Sequence, residues 1–387
     1  MARSLRSFLV LVLLGGPIVT SVPAIAEESS QGVCVAVLYP IATNRNPDVS
    51  TDVELSLLYG RVGTLHGFGL NGIAAMQSRE FHGFQFTGIY SQVNGTVGGF
   101  RFTGIANYST AGTRGIQAAG MVNVNQGAMR GIEFGGLFNL VGKDLRGFQG
   151  TTVANIVDED GHAFQLAGFA NALGGSLHGA QVSGGFNYVG HEMSGLQVGI
   201  ANTAVVMDGV QIGVGNFADH AKGLQLGAYN HTDVQEGVPI GMINAAGNGD
   251  TDWIVYGSNL SGFNTGIGTS VRRFYSMLTA GTPDPQGDVS KTLILTWNYG
   301  YAIPAGRRTS IGLDLGFAHY IPEKVDDPAQ NDRLHYALQA RGLIERTLGR
   351  KTKAFVGAGV ARIADNYDRL NAPSETKPLF FGGVALY

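Results

Sequence analysis

A glycine recurs every sixteen residues, at Gly67, Gly83, Gly99, Gly115, Gly131 and Gly147. This spacing limits the fold more than any other feature of the chain. The series runs on through Ala163, Gly179 and Gly195, then shortens to fourteen at Gly209, Gly223 and Gly237. A fixed period of this length belongs to repeat architectures, in which each repeat is one unit that buries its core only against its neighbours. The long phrase is Gly-apolar-Gln-apolar-x-Gly-x-x-Asn, and the short one, as in Gly209-Val-Gln-Ile-Gly-Val-Gly-Asn216, drops one residue.

Columns through the repeats carry more detail. One apolar column is Phe68, Phe84, Phe100, Ile116, Ile132, Phe148 and Phe164, and a second is Leu70, Phe86, Phe102, Ala118, Phe134, Gly150 and Leu166. A polar column lies between them: Gln85, Arg101, Gln117, Glu133, Gln149, Gln165, Gln181, Gln197, Gln211 and Gln225. Alternation of this kind marks a half-buried strand. The expectation is that the apolar columns face inward and the glutamines outward. A further column is asparagine at Asn107, Asn123, Asn139, Asn155, Asn171 and Asn187, continuing to Asn244.

Two architectures fit. In a β-solenoid each repeat is one coil, equivalent residues stack about 4.8 Å apart, and asparagines form a ladder of paired amides. About twelve coils would make a stack roughly 55 Å long. In a single large outer-membrane β-barrel each repeat would be a strand and a turn, and Asn would fall at alternating ends. The solenoid accounts better for one motif repeated in every unit. Composition agrees with either: 59 glycines and only 14% charged residues among 387 argue against long helices. A net charge of −3 gives no basic field for nucleic acid.

After Asn244 the period changes to two. Leu293, Leu295, Trp297, Tyr299, Tyr301 and Ile303 form one face of a run, with Ile294, Thr296, Asn298 and Gly300 on the other. Ile311, Leu313, Leu315 and Phe317 likewise oppose Ser310, Gly312, Asp314 and Gly316. The chain ends on Tyr387 in a last alternating run. Short connections (304–308, 347–353) alternate with long polar ones (322–333, 366–378). Strands of about ten residues with such connections are what a transmembrane β-barrel shows. Strands read at 33–41 and 53–58 are expected to pair with these C-terminal strands.

The start of the chain reads as a secretory signal. Arg3 and Arg6 precede an apolar stretch, and Ala24-Ile25-Ala26 forms a small-residue cleavage site. Cys34 is the only cysteine, so no internal disulfide forms. The organisation is therefore a signal peptide at 1–26, N-terminal strands at 27–64, the repeat region at 65–247 and a barrel-like segment at 248–387.

The repeat phrase is similar to that of the bacterial surface-repeat family of envelope proteins. The segment Val271-Arg-Arg-Phe-Tyr-Ser-Met-Leu-Thr-Ala-Gly281 also resembles that family's post-repeat region. The resemblance covers about residues 53–281. It implies an exported location at the outer membrane or cell surface and no particular activity. Val238-Pro239-Ile240 departs from the pattern, with proline where the column has glutamine.

Signs of chemistry are few. There is no Gly-x-Ser-x-Gly, His-Glu-x-x-His or P-loop motif, and no cofactor is expected. Asp158-Glu159-Asp160-Gly161 reads as a solvated acidic turn. The column before the repeat glycine is His66, His82, Arg114, Arg130, Arg146, His162 and His178. Arg114, Arg130 and Arg146 form a candidate anion- or glycan-binding stripe; the plainer reading is a solvated edge that resists aggregation. The expected function is a non-enzymatic, structural or adhesive envelope protein. Its partners would be an outer membrane and a surface glycan or a host or neighbour-cell ligand. An outer-membrane channel is the alternative. A glycan-active solenoid enzyme ranks third, because it would need clustered carboxylates.

Overall fold

The computed structural model describes residues 30–283, 292–322, 335–364 and 374–387. The signal-like segment 1–26 and most of the two long polar connections lie outside them. The protein is all-β: a parallel β-solenoid of about 14 turns and a closed antiparallel barrel of eight strands. The chain divides into two compact units, residues 1–205 and 206–387.

In the first unit each coil is a longer strand, a glycine corner and a shorter strand, as in Thr113–Ala119 followed by Val122–Asn125. Successive coils pair in parallel register. Gln117 lies beside Glu133, and Glu133 beside Gln149. Asn123 lies beside Asn139, and Asn139 beside Asn155. This register is why one motif suits every coil, since residue i and its equivalent in the next repeat share one environment. The repeat glycines from Gly83 to Gly195 take a positive φ, while Ala163 fills the same register position without one. Gly131 has φ of 133°, and a Cβ there would run into the carbonyl oxygen of Gly115 in the coil below.

Two expectations are corrected. The polar column faces inward and the apolar columns outward: Gln117, Glu133, Gln149, Gln165 and Gln181 are wholly buried, whereas Phe84 is 51% and Phe134 48% exposed. Alternation defines two faces without saying which is inside. A glutamine stacked on a glutamine finds its amide partner in the next coil, so burial leaves it satisfied. The second correction concerns the N-terminal strands. Ser30–Leu38 pairs in parallel with Ser50–Asn71, which pairs in parallel with Ala74–Thr87. They are the first coils of the solenoid, and the barrel closes without them. Apolar side chains fill the coil interior toward its other edge, from Leu65, Phe81, Val93 and Val97 on to Val141, Leu145, Leu173 and Leu177.

The second unit holds the fourteen-residue coils and the barrel. Gln211 pairs with Gln225, and Asn216, Asn230 and Asn244 stand in line. The barrel strands are Asp250–Ser258, Phe263–Val271, Phe274–Thr282, Thr292–Pro304, Thr309–Pro322, His335–Thr347, Thr352–Ala364 and Ser374–Leu386. The first pairs with the last, closing the ring. The tight connections 272–273, 305–308 and 348–351 share one end, where the chain also enters at Asp250. The last solenoid strand, Val238–Ala246, packs onto that end. The Asn244 backbone N–H donates to Thr269 Oγ1 (3.1 Å), its amide Nδ2 to Ser276 Oγ (3.3 Å), and Trp297 Nε1 to the Gly241 carbonyl (3.1 Å).

Candidate functional site

The barrel strands carry opposite chemistry on their two faces. Outward positions include Leu313, Leu315, Leu338, Ile344, Val356, Val360 and Phe380, with Leu315 71% exposed. Inward positions include Asp252, Asp314, Arg341 and Lys353, all buried. A water-soluble barrel places these classes the other way round. The lumen is packed. Arg341 Nε and Nη2 donate to the two carboxylate oxygens of Asp314 at 2.8 and 3.1 Å. The hydroxyl of Tyr275 (2.8 Å) and the amide of Asn298 (3.2 Å) also donate to that carboxylate. The Arg341 guanidinium lies 4.5 Å from the centre of the Phe381 ring, within a cluster of Ile254, Tyr256, Met277, Leu343 and Phe355. Toward the tight-turn end a cavity of about 280 Å³ is lined by Asp250, Asp252, Arg272 and Lys353 among others. Lys353 Nζ is 2.9 Å from Asp252 Oδ2.

Inside the solenoid run two amide ladders of opposite direction. In the asparagine ladder Nδ2 of Asn107 donates to Asn123, Asn123 to Asn139, Asn139 to Asn155, Asn155 to Asn171 and Asn171 to Asn187, at 2.9–3.0 Å. The same Nδ2 groups also donate to backbone carbonyls, Asn139 to Gly150 for example. In the glutamine ladder Gln197 donates to Gln181, Gln181 to Gln165 and Gln165 to Gln149, each at 2.9 Å.

That second ladder ends at a carboxylate. Gln149 Nε2 donates to Glu133 Oε2 at 2.6 Å, and from the other side Gln117 Nε2 donates to Glu133 Oε1 at 2.5 Å. Arg101 Nη2 in turn donates to Gln117 Oε1 at 2.8 Å. Arg101, which only donates, and Glu133, which accepts from both sides, are joined through one amide. Burial pushes Glu133 up to about 7, against the pull of the Gln149 and Gln117 amides and of Arg101. Burial lowers Arg101 to about 9. Asn125 donates to Glu133 (2.7 Å), and the hydroxyls of Ser109 and Thr113 donate to Asn125 Oδ1. Sequence reasoning placed Arg101 and Glu133 outside. Their standing in an otherwise glutamine column was the available signal.

Arg114, Arg130 and Arg146 stack in register on the outside, continued by His162 and His178. All three arginines are exposed, and no ion pair or hydrogen bond from their side chains occurs among the described residues. The acidic turn at 158–160 forms a coil corner, where Asp160 Oδ1 accepts the Ser176 N–H at 2.7 Å. Among the described residues no three His, Cys, Asp or Glu side chains cluster as metal ligands would. Compared with protein-family models, curated proteins and solved structures, the chain matches none.

Proposed function

We propose that this is an exported envelope protein whose barrel anchors it in an outer-membrane-type bilayer and whose solenoid is a non-enzymatic structural scaffold. The observation that carries the reading is the inverted barrel: apolar side chains outside, paired charges inside. Strands of this kind, alternating apolar-out and polar-in, belong to membrane barrels. The packed lumen, with Arg341 locked on Asp314, favours an anchor over a channel. The signal-like start and the resemblance of the repeats to envelope proteins point the same way. Tight turns of such barrels face the periplasm, and the chain enters the barrel from its last coil at that end. The scaffold reading therefore puts those coils on the periplasmic side, which favours a structural role over cell-surface adhesion. Expression in a Gram-negative host followed by carbonate extraction tests it. The chain should stay with the membrane pellet, need detergent for release, and migrate differently on gels before and after heating. A chain released into the soluble periplasm without detergent, with one heat-insensitive band, overturns the proposal.

A further inference from the structure

The outer face of the longer solenoid strands is apolar without interruption. In nine successive coils the two outward positions are Phe68 and Leu70, then Phe84 and Phe86, and so on to Leu196 and Val198, and none is polar. The glycine corner that follows adds Ile73, Ile89, Ile105, Met121 and Phe169, all exposed. At about 4.8 Å per coil this surface is roughly 40 Å long. Contiguous apolar patches of this size on soluble proteins mark a partner. The arginine column stands two residues before the first apolar column on the same strands, about 7 Å away. Beyond it, at the opposite corner, come Lys143, Asp144 and Asp158 to Asp160. The corners before Arg114 and Arg130 are uncharged (110–112, 126–128), so across the coil the order is polar edge, basic line, apolar face.

From this order we infer that the apolar face of residues 65–205 lies on an anionic lipid bilayer, with Arg114, Arg130 and Arg146 at the level of the lipid phosphates. Basic residues bordering an apolar face are how interfacial elements bind membranes. The interior suits that solvent. Parallel pairing satisfies the backbone between coils, and the ladders satisfy the amides from Asn107 to Asn187 and from Gln149 to Gln197, so little on that stretch asks for water. The apolar core, by contrast, lies toward the polar edge. The inference stands apart from the barrel reading, because it concerns coils that precede the barrel.

Spin labels on the full chain test it. Labels are placed at Phe86→Cys, Phe134→Cys and, as the opposite-edge control, Gln126→Cys, in a Cys34→Ala background. The chain is reconstituted in phosphatidylcholine vesicles with and without phosphatidylglycerol. In anionic vesicles the labels at 86 and 134 should become accessible to oxygen and shielded from a water-soluble nickel chelate, while the label at 126 stays open to nickel. Changing Arg114, Arg130 and Arg146 to Gln should lower the bound-to-free ratio of the face about five-fold per arginine, in anionic vesicles only. Nickel access at 86 and 134 in both lipids overturns the inference. So does shielding without lipid accompanied by spin–spin broadening, which would mean a second copy covers the face. The heat shift of the barrel, read in the same samples, separates failure of the face from failure of the anchor.

Discussion

Replacing Glu133 by Gln should damage the solenoid only while Arg101 is present. Arg101 is wholly buried and reaches Glu133 through Gln117, by bonds of 2.8 and 2.5 Å. Removing the carboxylate leaves a buried guanidinium without a counter-charge, a change that costs about 3–5 kcal/mol. It also leaves an amide where Gln117, Asn125 and Gln149 all donate, so the donors from 149 to 197 must turn over or lose a bond. Arg101→Gln removes both problems. It also offers an acceptor to Gln85 Nε2, which has no hydrogen-bond partner among the described residues. In that background Glu133→Gln should cost less than about 1 kcal/mol, the net worth of one hydrogen bond. The coupling energy should therefore be at least 2 kcal/mol. Guanidinium unfolding of the detergent-solubilised chain, followed by far-UV circular dichroism, measures it. Both tryptophans of the chain, Trp253 and Trp297, lie on barrel strands, so their fluorescence reports the barrel separately. Equal costs in the two backgrounds, within about 0.5 kcal/mol, would refute the reasoning.

Three further outcomes follow from the same geometry. Gln181→Leu breaks two rungs in the interior and should cost about 3 kcal/mol, whereas Phe134→Thr on the open face should cost about 1 kcal/mol in denaturant unfolding. The reverse order would restore the apolar-inward reading. Gly131→Ala forces a side chain onto a φ of 133° and against the coil below, and should lower stability by about 3 kcal/mol or more. Gly306→Ala, in open space at a barrel turn, should change it by less than about 0.5 kcal/mol. Burial also raises Glu54 to about 7, so the folded state holds its proton more tightly than the unfolded chain. The contribution of Glu54 to stability is then greatest below the usual carboxyl range near 4.5, falls by about 3 kcal/mol as pH rises toward about 7, and levels off above it. A melting temperature that climbs from pH 5 to pH 8 would contradict this.

The repeat was legible because a parallel stack gives every coil one environment, and the sixteen-residue step of the asparagine ladder is the step of the glycines. The basic column was legible for the same reason. Which face points inward was not, since alternation carries no sign and the usual rule of apolar inside fails where amides satisfy one another. In the barrel the same rule was not needed: the sequence reading set Leu313 and Leu315 opposite Asp314, and those are its outer and inner faces. The first strands were assigned to the barrel because period-two alternation alone does not distinguish parallel from antiparallel partners. Arg101 and Glu133 were visible as exceptions in a column, but their bond through Gln117 depends on knowing that the column is buried.

Trp253 offers the most direct test of the anchoring barrel. It is 52% exposed on the strand Asp250–Ser258. When the folded chain carrying Trp297→Phe is reconstituted in vesicles, the Trp253 emission should be blue-shifted relative to a water-exposed indole, and quenched when the acyl chains carry bromine. Unquenched emission at the wavelength of a water-exposed indole, from a chain still folded by circular dichroism, would contradict a barrel wall facing lipid.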